Sequence, residues 1–168
     1  MMRAVMAACA VLLAIAIAAA TVPARPAAAK VTKPNAAARE LAAEVCEEMV
    51  GDAAVDAAGE ELVAPQQGAW SGWRYTCPYQ FDGGTLAVNV DVFRSVPAAK
   101  QGFTKVRDKA TGRTRLYGIG QQAFQADDLT LVSRKDNFVL TVDPTALPDR
   151  FNRDGMVWAT TLAVFGCW

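Results

Sequence analysis

The chain of 168 residues contains no histidine. This removes the Ser-His-Asp and Cys-His catalytic arrangements, histidine general bases and every zinc site that uses an imidazole ligand. Excess charge is missing too, with 17 basic against 17 acidic residues. Nucleic-acid domains are as a rule strongly basic, so no nucleic-acid partner is expected. Gly118-Ile119-Gly120 lacks the third glycine, the lysine and the capped helix of a phosphate loop and reads as a strand bulge. The acids Asp82, Asp91, Asp127, Asp128 and Asp136 fall at expected turns or on strands, with no spacing that pairs them. No catalytic residue, cofactor or metal is therefore assigned. An enzyme using carboxylates alone is kept as an alternative, because distant residues can meet in a fold.

What is present begins with an export signal. Residues 1–29 hold no acid, an early Arg3, and an apolar run from Ala4 to Ala20 followed by small residues. Val22-Pro23-Ala24 and Ala27-Ala28-Ala29 both suit a signal peptidase, and cleavage after Ala29 is preferred. The division is then a signal peptide over 1–29, a flexible leader over 30–35 and one domain over 36–168. The run approaches the roughly 20 residues that cross a bilayer, but alanine contributes little insertion energy. Membrane contact is expected only in transit. Too few apolar residues precede Cys9 for lipidation there. Losing Arg3 and Arg25 leaves 15 basic against 17 acidic residues, a mildly acidic chain. It is expected as a monomer, secreted or held in the cell envelope.

Three cysteines remain after cleavage, Cys46, Cys77 and Cys167, which in an oxidising compartment implies one disulfide and one odd thiol. Cys77 lies on the apolar side of the alternating run Trp73–Tyr79, and Cys46 shares a helix face with Ala42, Met49 and Val50. Loop entropy favours a Cys46–Cys77 bond by about 3 to 4 kcal/mol and a Cys46–Cys167 bond by about 5, too close to decide. Cys46 with Cys77 is favoured as the local pair of core-facing residues, with Cys46–Cys167 as the rival. The odd cysteine reads best as a small buried hydrophobe.

Apolar spacing predicts a helix from Ala36, capped by Asn35 and ending near Gly51, then an exposed connection over 52–67. Trp73–Tyr79 and Leu86–Val92 alternate around Asp82-Gly83-Gly84, a hairpin. Ser95 caps a second helix carrying Ala99, Phe103, Val106 and Ala110, stopped at Thr111-Gly112. One irregular strand is expected over Arg115–Ala126. A hairpin follows over Leu129–Val142, with Asn137 as the residue that tolerates a left-handed turn position, and then a buried helix over Met156–Phe165 closed by Gly166. The order α-ββ-α-βββ-α predicts an α+β fold, a five-stranded antiparallel sheet with helices mainly on one face.

Charge and aromatics mark the candidate surfaces. Glu40–Glu61 holds eight acids and no base, whereas Lys100–Arg115 holds Lys100, Lys105, Arg107, Lys109, Arg113 and Arg115 against Asp108 alone. The basic run is read as a solvated helix face complemented by the acidic first helix, or as a surface for an acidic ligand. Trp73, Tyr75 and Tyr79 are expected in the core beside Cys77, and Trp70 at the mouth of a groove. Trp70, Lys105, Arg107 and Arg113 are the candidate ligand or partner residues.

The Tyr75-Thr76-Cys77-Pro78-Tyr79 strand, Gly118-Ile119-Gly120 before Ala123-Phe124, and the Leu131-Val132-Ser133-Arg134-Lys135-Asp136 hairpin resemble small exported actinobacterial proteins, among them the domain of unknown function 3558. Members are often lipoproteins and are loosely similar to extracellular sensor domains of kinases. Gln121 stands where that family usually has an acid, and the lipobox is absent, so tethering does not carry over. The resemblance implies no catalytic residue. It supports a secreted, non-enzymatic, sensor-like module for a small ligand or a protein. A carboxylate-only enzyme and a protease inhibitor with a disulfide-braced loop near Cys77 are the alternatives.

Overall fold

Seven strands pair antiparallel into one sheet: β1 (Ala69–Ser71), β2 (Arg74–Phe81), β3 (Gly84–Val92), β4 (Thr114–Leu116), β5 (Gln122–Gln125), β6 (Leu131–Lys135) and β7 (Phe138–Ala146). Their spatial order is β1-β2-β3-β7-β6-β5-β4. The computed structural model describes residues 34–168. The export segment read over 1–29, and the leader through residue 33, lie outside the described residues.

The fold is α+β, but the expectation of five strands is overturned by these seven. Two misreadings account for the difference. β1 has three residues, too short to display alternation. The supposed single strand over 115–126 is a hairpin, β4 and β5, folded back through residues 117–121. Gly118 and Gly120 adopt φ of 80° and 56° there, so they make the turn rather than a bulge.

Alternation divides the sheet into two unlike faces. On one face a single row, Trp70, Tyr75, Val90, Leu140, Ser133, Ala123 and Leu116, crosses all seven strands. The other face carries Thr76, Asn89 and Thr141 on one half, and Val132 and Phe124 on the other. Helices α1 (Ala36–Ala43), α2 (Glu48–Ala58) and α4 (Arg153–Cys167) belong to the core of the first face. α3 (Val96–Lys109) covers only the apolar half of the second, packing Ala99, Phe103 and Val106 on Phe124, Val132 and Val139. Two of the four acidic residues Glu40, Glu44, Glu47 and Glu48 sit on α1 or α2, and all four precede the sheet on the face opposite α3. The acidic first helix therefore does not complement the basic one.

The first helix is interrupted where continuous helix was expected. α1 stops at Ala43, a 3-10 turn spans Glu44–Cys46, Glu47 is extended (φ −71°, ψ 156°), and α2 runs on to Ala58 through the expected connection. In an unbroken helix the Val45 carbonyl would accept from the amide of residue 49. Here it accepts the Tyr79 hydroxyl from β2. One residue on, Cys46 is bonded to Cys77 with Cα atoms 5.6 Å apart. The sheet thus captures the turn at two adjacent points. Asn35 caps α1 through Ala38 N at 2.9 Å, and Ser95 caps α3.

Three smaller expectations are corrected. Trp73 precedes β2, is 40% exposed, and stacks edge-on to Phe93 instead of entering the core. The left-handed residue of the β6–β7 turn is Asp136, not Asn137. α4 continues through Gly166 to Cys167.

α4 buries Thr160 and Thr161 completely, and neither hydroxyl has a hydrogen-bond partner. An unsatisfied buried hydroxyl costs about 1–3 kcal/mol, and an apolar group of the same shape relieves it. Replacing both by valine is therefore expected to raise the unfolding free energy by about 2 kcal/mol or more in total, read as a higher urea midpoint. A lowered midpoint at unchanged slope would mean that the hydroxyls are satisfied in solution.

Candidate functional site

A cleft of about 450 Å³ opens between the C-terminal half of α3 and the β4–β5 hairpin. This is within the range of roughly 300–1,000 Å³ usual for small-molecule sites. Phe103 and Phe124, with ring centroids 5.5 Å apart, join its floor to the core beneath α3. Its rim is arginine from three segments: Arg107 on α3, Arg113 on the connection and Arg115 on β4.

Local structure places each one. Gly112, at φ 55°, lets the chain leave α3 sharply; a side chain there would strike Asp127, whose amide donates to Thr111 O at 3.0 Å. The turn sets Arg113 beside the helix end, where Nη1 donates to the Arg107 carbonyl at 3.2 Å. Cations at a helix C-terminus are favoured by the helix dipole. Arg115 is paired with Phe124 in the β4–β5 register, so its side chain leaves the sheet on the α3 side. Its guanidinium lies 4.9 Å from the ring centre of Tyr117, which is 77% exposed.

The charges are lightly held. Arg107 donates to Asp108 Oδ1 at 3.0 and 3.1 Å, and Arg113 approaches the same oxygen at 3.6 Å. All three side chains are about half exposed. Such pairs are worth up to about 1 kcal/mol, so a ligand anion can displace them. Arg115 has no ion pair among the described residues. The cleft wall contains no aspartate or glutamate among the described residues.

Of the four candidate residues, Arg107 and Arg113 meet in this cleft. Lys105 lies on α3 beside Gln101 and Thr104, outside it. Trp70 is on β1, at the opposite end of the strand order from β4, where it packs on Tyr75 and beneath Arg39. It does not belong to the cleft. Arg115, Tyr117, Gln121 and Gln122 do, and sequence reasoning did not nominate them. Arg115 stood within the basic run, but only the β4–β5 register turns it toward α3.

The five acids considered for catalysis are dispersed. Buried Asp91 holds Arg74 at 2.5 and 2.7 Å, and Asp82 faces Arg150. Asp127 lies at Gly112, Asp128 caps Thr130 N, and Asp136 accepts from Gln121. Cys77 sits in the middle of β2, fully buried, so its disulfide braces helix to sheet and no exposed loop. Cys167 is a free, partly buried thiol whose pKa is raised by burial and then by Glu44 and Glu47. It therefore stays protonated, a poor nucleophile. Among the described residues no helix is long and apolar enough to cross a membrane.

No family model, curated protein or solved structure matches this chain.

Proposed function

We propose that this chain is an exported, non-enzymatic binding module whose cleft between α3 and the β4–β5 hairpin takes a small anionic ligand. The observation that carries the reading is the convergence of Arg107, Arg113 and Arg115, from three separate segments, on one concave site with no carboxylate in its wall. An arginine fork matches carboxylate and phosphate oxygens in pairs. Tyr117 adds an exposed ring against which a planar or sugar-like body can lie. The disulfide and the acid-free segment over 1–29 support export, as does the resemblance to exported sensor-like domains.

Isothermal titration with inorganic pyrophosphate tests the site. Binding is expected, weakening as salt rises. The triple replacement Arg107→Gln, Arg113→Gln, Arg115→Gln should cost at least about tenfold in Kd, or 1.4 kcal/mol. Lys105→Gln, one charge on the same helix but outside the cleft, should leave Kd unchanged. Equal losses in the two variants would reduce the site to general surface charge, and absence of binding would remove it.

A further inference from the structure

Behind the cleft wall lies a buried cation. Arg134, on β6, is 3% exposed, yet forms no ion pair among the described residues. Its partners are neutral oxygens. Nε donates to Gln122 Oε1 at 2.9 Å, and Nη1 donates to Gln121 Oε1 at 2.5 Å and to the Asp136 carbonyl at 3.0 Å. The Asp136 carboxylate accepts from Gln121 Nε2 at 2.9 Å, so it meets the guanidinium only through an amide.

A charge taken out of water costs several kcal/mol unless an opposite charge answers it, and its field is weakly screened inside the protein. Gln121 and Gln122, the two side chains that satisfy Arg134, both line the cleft. Each turns its carbonyl inward to the guanidinium. The amide nitrogen of Gln122, which is exposed, has no partner among the described residues and remains a donor to whatever occupies the cleft. Positive charge is thus presented in two layers, arginines at the rim and Arg134 behind a polarised amide.

We propose that the cleft is selective for an anion carrying at least two negative charges, a polyphosphate or polycarboxylate group, with Arg134 as the inner positioning charge. The inference rests on reading the cleft as an anion site. Arg107 and Arg113 share the single carboxylate of Asp108, and Arg115 and Arg134 have no ion pair among the described residues, so at least two guanidinium groups are without a partner carboxylate of their own. A monoanion would leave one of them unmatched.

The test is titration of the purified protein with pyrophosphate, citrate and acetate. Pyrophosphate or citrate should bind at least about tenfold more tightly than acetate. A preference for one of the two identifies the phosphate or the carboxylate source. Arg134→Gln should remove most of that selectivity. Gln121→Glu should do the same, because it hands Arg134 a carboxylate in place of an amide, at the loss of the hydrogen bond from Gln121 Nε2 to the Asp136 carboxylate. Should Arg134→Gln fail to fold, Gln121→Glu decides alone. Parental selectivity in a folded Gln121→Glu protein, with binding lost in the triple arginine variant, would overturn the role of Arg134 and leave the cleft standing. Acetate bound as well as pyrophosphate by the parent would overturn the charge requirement. Undiminished binding in the triple variant would overturn both readings.

Discussion

Replacing Cys77 by alanine is expected to lower the unfolding free energy by about 3–4 kcal/mol. The bond closes a separation of 31 residues, and its loss returns that loop's freedom to the unfolded chain. Cys77 is also fully buried, so a small packing loss adds to the entropic one. Cys46→Ala should cost somewhat less, since Cys46 is only partly buried. Cys167→Ser is expected to be mild, below about 1 kcal/mol, as suits a partly exposed position outside the bond. Guanidinium unfolding with and without reductant measures all three. If Cys77→Ala cost no more than Cys167→Ser, or if an unreduced peptide map joined Cys46 to Cys167, the helix–sheet staple would be wrong.

Gly120→Val should be at least as damaging, by about 3–5 kcal/mol, combining backbone strain with overpacking. At φ 56° a β-branched residue is strained, and a Cβ would lie 2.6 Å from the Arg134 carbonyl oxygen and 2.8 Å from Ser133 Oγ. The first of these is backbone and cannot swing aside. Gly118 supplies the internal comparison. At φ 80° it has nothing within 4 Å of its Cβ position, so Gly118→Ala should cost only the strain, about 1–2 kcal/mol. Urea midpoints of the two variants decide the matter. A Gly120→Val protein as stable as Gly118→Ala would mean that the turn does not seat against β6.

That pair of glycines also shows where sequence reading succeeds and fails. Alternation in β2 and β3 spans eight and nine residues, and one of its phases is apolar throughout, so hairpin and core face were legible. The apolar stripe of α3 was legible for the same reason, since a periodic signal needs only local sequence. β4 offers three residues, and the choice between a bulge and a turn at Gly118 and Gly120 depends on the sign of φ and on pairing with β6. Neither is encoded in periodicity. The break at Glu47 was likewise hidden, because its cause, the Tyr79 hydroxyl on Val45, lies 34 residues away. Within the cleft, Arg107 and Arg113 could be found as part of a charge run. Arg134 could not, because its isolation from carboxylates exists only once β5 and β6 are in register.

The sheet's two margins are its shortest strands, β1 and β4, each three residues long. An open sheet edge is a template on which another chain can add a strand, and its hold grows with the number of free backbone groups it presents. Here the long strands β2, β3 and β7 are all interior in the strand order, although β1 pairs only with Arg74–Thr76 of β2 and β6 only with Phe138–Val142 of β7. A visiting strand would find few backbone donors and acceptors on β1 or β4 themselves, too few to repay the ordering of its own chain. The fold therefore discourages edge-to-edge growth, and leaves recognition to side chains.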